Sequence, residues 1–394
     1  MGIRSPGRPL LLVPVVLCAL LAGGAARVVQ DQCGPFTDVT PGFCPYVLEL
    51  YYLGITAGTS ATTFSPDDPL TRGQGAVFIA KGLNQALARS SRRAALGQWW
   101  TTTPHWDLGL GVTNLGQFGT APAADGADVW APSDSSVYRV RSSDGKLLDT
   151  WSGTANATAV LAAMGRIFVV GELPNNLYMI DPTAPAGAAP VVAANIAEQG
   201  PESIAFDGSR IWTANCCLQG IPPLPPGSIS IITPGTWDVQ TITTGFDAPT
   251  TVVFDGTSMW VVDLTALKRA DSSGAVTQTI PMSPAGNAVF DGANIWLPTS
   301  AGLTVVRAST GEIVANLAPQ TLTNASAEGG IGFDGRRILL ASPSRLMLWD
   351  AQSLAPLGSV ETGYDYVSGI CSDGINFWLT LQNFSPDSSV LARF

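Results

Sequence analysis

The side chains that most often carry catalysis are scarce in this sequence of 394 residues. His105 is its one histidine. A histidine-based zinc site or a Ser-His-Asp triad would therefore have a single imidazole to draw on. We expect a structural role for His105, and we expect neither a resident metal nor a cofactor.

A recurring Asp-Gly pair is the most regular feature that could carry carboxylate chemistry. Six aligned segments contain it, FDGSRIW from Phe206 among them, and a seventh, AAMGRIF, is degenerate. Aspartate bonds its own backbone in a turn and glycine supplies the positive φ, so turn formation accounts for each pair. We therefore assign no catalysis to this set. The seven turn positions are Asp125, Ala163, Asp207, Asp255, Asp291, Asp334 and Asp373.

The cysteines favour disulfides over a metal site. Cys33 and Cys44 lie eleven positions apart, and in a chain that enters an oxidising compartment such an even pair predicts a disulfide. Cys216 and Cys217 are adjacent, and with Cys371 they leave at least one thiol that is unpaired or bonded to another molecule. A vicinal disulfide is one arrangement for the adjacent pair. No C-x-x-C spacing occurs, which argues against a thiolate metal site.

The spacing of the Asp-Gly turns indicates the elements that position these side chains. Successive turn positions are 38, 44, 48, 36, 43 and 39 residues apart, which is the period of a stacked repeat. Within one unit an apolar strand ends at Phe206, the turn follows, a second strand begins at Ile211, and two more strands come after it. Four-stranded units cannot bury their apolar faces alone, so they must stack around a ring. Seven units predict a mainly β fold, a seven-bladed β-propeller over residues 99–394.

Aromatic packing and a shared blade should close the ring. The Trp and Phe of each unit are predicted to pack between blades, where burial of each ring contributes about 2–3 kcal/mol. The last unit ends after three strands, so we expect its fourth strand from HWDLGLGVT, which begins at His105. Pairing of the two ends would remove the exposed edges.

The region from residue 99 to 394 resembles bacterial propellers of the YVTN and NHL-like type. Their repeats carry a strand, an Asp-Gly turn and an aromatic-rich strand, as FDGTSMW from Phe254 does here. The resemblance implies the fold alone, because rings of this kind host binders, scaffolds and a few enzymes.

The face opposite the Asp-Gly turns, the loop face, is the predicted binding face. The second strand of each blade should end there, three residues beyond its aromatic anchor and near the mouth of the channel. Polar groups beside exposed aromatic rings would suit a sugar or a peptide, and ordinary loop composition is the alternative. The candidate residues on the loop face are Glu172, Asn215, Asp263, Tyr364, Asp365 and Tyr366.

The N-terminus has the features of a secretory signal peptide, residues 1–26. Arg4 and Arg8 precede an apolar run that is short for a membrane span, and small residues follow it up to Ala26. Cleavage would release an exported protein, extracellular or in the cell envelope, without a transmembrane segment. Removal of two positive charges from a net charge of −10 gives −12. Because the chain has no basic stripe, nucleic acid is excluded as a partner.

Two predicted helices and their connecting motifs form a small module at residues 31–88. FTDV precedes a helix over about 45–53, and GITAG and TFSPDDPLTR lead to a second helix over about 71–87. This order resembles a single S-layer homology repeat, with Gln74 where that family usually has Glu. A solvated linker at residues 89–98 is expected to join the module to the propeller.

The resemblance implies a binding site for anionic cell-wall polymer. In that family the Arg of the TRAE-like motif and the Asp of the F-x-D motif help to bind the polymer. The matching residues here are Arg72, with Thr71 beside it, and Asp38. Arginine suits this task because its planar fork grips carboxylate or phosphate oxygens in pairs. In the alternative, Thr71 caps the second helix and Arg72 packs or pairs locally.

Two functions from different classes follow from these features. In the first, an exported, envelope-associated scaffold contacts wall or surface polysaccharide through its S-layer-homology-like module, and its propeller presents a protein- or glycan-binding face. In the second, a secreted propeller enzyme, a lyase or hydrolase, uses carboxylates at the channel mouth. Two or more acids that converge there would favour the enzyme, as in glycosidases. Spread-out polar residues would favour the binding protein.

Overall fold

The chain separates into two compact units, Met1–Ala86 and Leu87–Phe394. A computed structural model describes residues 33, 35–40, 43, 44, 47, 50, 51, 55–82, 113–116, 118–142, 145–185, 187–196, 200–216, 226–300, 302–318, 330–374, 376–385 and 387–394. The predicted signal peptide, the predicted linker and His105 lie outside the described residues. The predicted module and propeller boundaries at residues 88 and 99 lie outside them as well.

The C-terminal unit consists of seven four-stranded antiparallel sheets, which confirms the seven-bladed β-propeller. Blade 1 contains β2 (Ala123–Ala124), β3 (Asp128–Ser133), β4 (Ser136–Arg141) and β5 (Leu147–Ser152). Blade 2 contains β6 (Ala157–Ala163), β7 (Arg166–Gly171), β8 (Asn176–Ile180) and β9 (Val191–Asn195). Blade 3 contains β10 (Pro201–Phe206), β11 (Ile211–Asn215), β12 (Ser228–Thr233) and β13 (Asp238–Ile242).

The remaining four blades repeat the same order. Blade 4 contains β14 (Thr251–Phe254), β15 (Met259–Asp263), β16 (Ala266–Ala270) and β17 (Val276–Pro281). Blade 5 contains β18 (Val289–Phe290), β19 (Asn294–Thr299), β20 (Gly302–Arg307) and β21 (Ile313–Leu317). Blade 6 contains β22 (Ile331–Phe333), β23 (Arg337–Ser342), β24 (Arg345–Asp350) and β25 (Pro356–Glu361). Blade 7 contains β26 (Tyr366–Ser372), β27 (Phe377–Phe384), β28 (Asp387–Arg393) and β1 (Thr113–Gly116).

The turn between the first two strands of a blade requires glycine for its backbone conformation. Gly208 and Gly256 have φ of +93° and +92°, and no atom lies within 4 Å of a Cβ added at either position. Space is therefore available for a side chain, but the left-handed conformation favours glycine. In blade 2 the degenerate copy forms a two-residue turn at Met164 and Gly165, both at positive φ, as in a type I′ hairpin.

The ring closes in blade 7, where the N-terminal strand β1 pairs antiparallel with the C-terminal strand β28. Thr113 faces Leu391 and Asn114 faces Val390. The prediction that the closing strand comes from the beginning of the ring is therefore confirmed. Of the predicted stretch, residues 105–112 lie outside the described residues, and Thr113 is the first residue of the described strand, whose buried positions are Thr113 and Leu115.

The aromatic residues of the second strands pack between blades, as predicted. Trp212 of blade 3 is buried in a cluster with Met259 and Val261 of blade 4. Trp296 of blade 5 is likewise buried with Ile338 of blade 6. Each blade thus covers an apolar face that it could not bury alone.

The N-terminal unit contains a described helix at 72–82, which begins directly after the predicted Thr71 cap. Its predicted end near residue 87 lies outside the described residues. Residues 44, 47, 50 and 51 are also helical, within or next to the stretch predicted for the first helix. Among the described residues, no helix is long and apolar enough to cross a membrane.

Candidate functional site

The strand order fixes which side chains reach the loop face. The turn at Asp255 joins the first strand of blade 4 to its second strand, and the other turn positions do the same in their blades. The first strand therefore begins, and the second strand ends, at the opposite face. Asn215 and Asp263 are the last residues of β11 and β15, and Glu172 directly follows β7.

Asn215 is fully buried and its amide is engaged within blade 3. Its Nδ2 group donates to Ser228 Oγ at 3.1 Å and to Ser230 Oγ at 2.9 Å. Its Oδ1 accepts from Thr213 Oγ1 at 2.7 Å. Both amide hydrogens are therefore used to join two strands of the blade, which is how buried amides avoid the cost of an unpaired polar group.

Asp263 is also buried and forms an ion pair with Lys268 at 2.5 Å. Its carboxylate further accepts backbone N–H groups of Asp247 at 3.0 Å, Ala248 at 2.6 Å and Leu264 at 2.9 Å. Burial alone would raise the pKa of Asp263, but the Lys268 and backbone hydrogen bonds outweigh it and hold the pKa below its usual range. The backbone hydrogen bonds from Asp247 and Ala248 tie the chain segment before blade 4 to that blade.

The aromatic segment at the start of β26 contributes an exposed surface. The rings of Tyr366 and Phe384 stack with centroids 6.3 Å apart and an interplanar angle of 30°. Phe384 is 64% exposed, and we call the two rings the aromatic platform. Beside it, Asp365 is exposed and accepts the Phe384 N–H at 2.9 Å, while Tyr364 packs against the apolar cluster between blades 6 and 7. Phe384 was not predicted, because it lies three residues beyond the strand positions that the repeat alignment singles out.

Glu172 meets a second carboxyl group, that of Glu202, which the sequence analysis did not single out. Glu202 lies in β10 of blade 3, and its side chain is hydrogen-bonded to that of Glu172 on blade 2. Burial raises the pKa of Glu172. Burial, the Glu172 charge and the Glu172 hydrogen bond raise the pKa of Glu202 to about 7. We call these two residues the carboxyl pair.

The Asp-Gly turns place their carboxylates on the other face, where local donors occupy them. In blade 4, Asp255 Oδ1 accepts the backbone N–H groups of Thr257 at 2.8 Å and Ser258 at 2.7 Å. Each turn aspartate belongs to a different blade. Within the described part of the chain, no three His, Cys, Asp or Glu residues converge into a group that could hold a metal ion.

In the N-terminal unit, Asp38 and Thr71 are bonded to their own domain. Asp38 accepts the N–H groups of Phe64 and Ser65, each at 2.8 Å, and these bonds lower the pKa of its carboxyl. Thr71 Oγ1 accepts the Gln74 N–H at 3.2 Å, and Gln74 Oε1 accepts the Thr71 N–H at 2.9 Å. This is a capping box, in which glutamine serves as well as glutamate.

The Cys33–Cys44 disulfide is present, with Cα atoms 5.4 Å apart. It covers a small core in which the Phe36 ring packs edge-on against Tyr51, with centroids 5.3 Å apart. Gly58 closes over the same ring at a φ of +82°, so the GITAG segment requires glycine there.

The remaining cysteines differ in state. Cys216 is disulfide-bonded, and Cys217, its predicted partner in a vicinal disulfide, lies outside the described residues. Cys371 is a free thiol whose pKa is raised by burial and by the Asp373 charge.

These features define a class of protein in which an S-layer homology domain and a seven-bladed β-propeller share one chain. Residues 35–76 match the S-layer homology domain family. Such a domain implies that an exported protein is anchored at the cell surface. An endoglucanase of Bacillus sp. (strain KSM-635) is 36% identical over 78 residues, which are 19% of this chain and 8% of that enzyme. The similarity thus spans a small part of that relative.

Two solved structures share the propeller fold. Hydrazine synthase of Kuenenia stuttgartiensis superposes with a TM-score of 0.57 and 15% identity, over 75% of this chain and 99% of that one. The WD40 β-propeller domain of Doa1 superposes with a TM-score of 0.54 and 12% identity, over 72% of this chain and 97% of that one. At these identities the likeness shows the fold alone.

Proposed function

We propose that this protein is held at the cell surface through a contact between Arg72 and anionic wall or surface polysaccharide. Arg72 is the first residue of the helix at 72–82 and is exposed. No other described residue hydrogen-bonds or pairs with its guanidinium. The fork is therefore available to two oxygens of a carboxylate or phosphate, and this availability is the observation that carries the proposal.

Asp38 and Thr71 support this contact from within the domain. The capping box fixes the start of the helix on which Arg72 lies. The Asp38 carboxylate joins the FTDV segment to the TFSP segment that precedes the helix. Both residues position the arginine in this proposal, and Arg72 makes the contact with the polymer.

The propeller presents the loop face to a protein or glycan ligand. The aromatic platform supports this part of the proposal, because stacked rings at the protein surface suit the apolar face of a sugar or an aromatic side chain. Asp365 adds an exposed acceptor beside the rings. By contrast, Asn215 and Asp263 are buried and serve the blades themselves.

The carboxyl pair favours a second candidate function, a secreted lyase or hydrolase. Two acids on the loop face are the feature that an enzyme of this kind needs. However, Glu172 and Glu202 are bonded directly to each other, whereas glycosidase carboxyls are separated by about 5–9.5 Å. The binding function is therefore the better supported of the two.

Deletion of residues 31–88 in the producing cell tests the anchoring role. The full-length protein should fractionate with the envelope, and the deletion variant should appear in the culture medium. A propeller that stays with the envelope without residues 31–88 would contradict the proposal. Intact secretion and folding of the variant are checked by circular dichroism of the recovered protein.

A further inference from the structure

Side chains at the start of the first strand join neighbouring blades. Four blades carry a hydroxyl residue five positions before the turn position, and in blades 1, 2 and 7 this hydroxyl donates to a backbone carbonyl of the next blade. These bonds run from Thr120 to Ala157 at 3.0 Å, from Ser368 to Gly119 at 2.6 Å and from Thr158 to Pro201. In these three blades the position therefore forms a bridge to the next blade at the loop face.

Glu202 occupies this bridging position in blade 3. A β-bulge between Pro201 and Ser203 leaves it without a partner in β11, and the bridging residues of blades 2 and 7 lie in the same kind of bulge. A bulge re-aims the side chain of its extra residue. In blade 3 that side chain is hydrogen-bonded to the Glu172 carboxyl group of blade 2. The other bridges instead join a hydroxyl to a backbone carbonyl.

The bridge made by the carboxyl pair differs from the others because it requires a proton. Two ionised carboxylates have acceptors only and repel each other, so a hydrogen bond between them needs one protonated group. The hydroxyl bridges carry no such requirement. The raised pKa of Glu202, about 7 against an ordinary value of 4.5, agrees with a proton retained on the pair.

The two carboxyl groups are the main charged influence on each other. Among the described residues, the one charged group that acts on Glu202 is Glu172, and none other than Glu202 acts on Glu172. Glu198 lies outside the described residues. A Cβ added at Gly200 would lie 2.4 Å from Glu172 Oε1, so the absence of a side chain there admits the carboxyl.

We propose that Glu172 and Glu202 form a proton-sharing latch between blades 2 and 3 of the propeller. While one carboxyl carries the proton, the latch holds the turn at residues 172–175 against the start of β10. When both carboxyls are ionised, their repulsion releases this turn, which is then held by Glu172 N–H to Asn156 O at 3.1 Å and Ile196 N–H to Asn175 O at 2.7 Å. The shape of the loop face therefore changes with pH near neutrality.

Hydrogen exchange of the mature full-length protein tests the latch. Exchange at residues 172–175 is measured by mass spectrometry at pH 6 and pH 8.5, with times scaled for the intrinsic exchange rate. In the wild type, protection should fall by about tenfold for each pKa unit by which the latch raises Glu202. The Glu202→Gln variant keeps a neutral donor and should stay protected at both pH values. Glu312→Gln, an exposed change in blade 5, should behave like the wild type.

Equal wild-type protection at the two pH values would overturn the latch, as would an identical loss in Glu202→Gln. If Glu202→Gln does not fold, Glu172→Gln is used instead, because it also removes the repulsion between the two carboxylates. Infrared spectroscopy of the wild type gives an independent result: the band of a protonated carboxyl should disappear as the pH rises through about 7, and Glu172→Gln should shift that transition. A spectrum without such a transition would also overturn the proposal.

Discussion

Trp260 donates its indole Nε1–H to Oδ2 of Asp255, five residues earlier, at 2.8 Å. The same aspartate binds the backbone of its turn through Oδ1, so one carboxylate holds both the turn and the buried indole. Four other blades repeat the bond at 2.6–2.8 Å. These pairs are Asp125 with Trp130, Asp207 with Trp212, Asp291 with Trp296, and Asp373 with Trp378.

The two blades without this tryptophan also lack the bond. In blade 2 the position five residues after Ala163 is Phe168, which has no donor to satisfy. In blade 6 it is Leu339, and Asp334 instead binds the buried Arg337 guanidinium at 2.6 Å. Aspartate is thus present wherever the blade buries a polar group beside the turn.

Replacement of Asp255 by alanine should destabilise the propeller by about 2 kcal/mol. The change leaves the buried Trp260 indole N–H without an acceptor and removes the side-chain hydrogen bonds of the turn. Asp271→Ala is the matched control, since Asp271 caps a turn in the same blade without an indole. The midpoint of urea unfolding should fall clearly more for Asp255→Ala. Equal midpoints would show that the indole bond adds nothing to the turn.

Acid should weaken the same interaction. Burial would raise the pKa of Asp255, but its backbone, Trp260 and Thr257 hydrogen bonds outweigh burial and lower the pKa. A depressed pKa means that this stabilisation is present above the ordinary value of 3.8 and is lost as the pH falls through the lower folded value. The stability difference between wild type and Asp255→Ala should therefore be constant near pH 6 and shrink below pH 3.8. A difference that grows in acid would refute the assignment.

Much of the fold follows from local chemistry, and the candidate sites follow from it less well. The turns at Asp207 and Asp255 were predictable because the left-handed residue after the aspartate favours glycine. Seven turn positions at regular intervals predict seven blades. The indole bond had a signal as well: Ala163 and Phe168 depart from the repeat together. Glu202 could have been noticed as the one acid at a repeat position where the other blades have a hydroxyl residue or glycine, but its contact with another blade depends on a bulge that no spacing reveals.

Lys268→Met should cost about 3–5 kcal/mol, because it leaves the Asp263 carboxylate buried without its countercharge. The double variant Asp263→Asn with Lys268→Met removes both charges and should recover part of that loss. Thermal unfolding of the propeller measures both effects. A single variant as stable as the wild type would mean that the backbone N–H groups alone satisfy Asp263.

Removal of the Cys33–Cys44 disulfide should destabilise the N-terminal unit by about 3 kcal/mol. Because that unit and the propeller are separate compact units, Cys33→Ser with Cys44→Ser should leave the propeller transition unchanged. Calorimetry resolves the two transitions. A shift of the propeller transition would contradict their independence.

Truncation of the aromatic platform should weaken ligand binding by about fivefold per ring with little effect on thermal stability, since a stacked ring contributes about 1 kcal/mol. Tyr366→Ala and Phe384→Ala are compared with Leu357→Ala, which removes an exposed apolar side chain from β25 of blade 6. Binding to a panel of immobilised envelope glycans is the measurement. An unchanged affinity in both platform variants would move the binding surface elsewhere on the loop face.

Anchoring through Arg72 is the central claim, and co-sedimentation of the mature protein with purified cell envelope tests it most directly. The wild type is compared with Arg72→Ala and with Arg166→Ala, which removes the same charge from the propeller surface. Circular dichroism and an intact Cys33–Cys44 disulfide confirm folding. The account predicts that Arg72→Ala loses about tenfold in affinity, equivalent to about 1.4 kcal/mol, while Arg166→Ala binds like the wild type. Equal binding of all three proteins would contradict it.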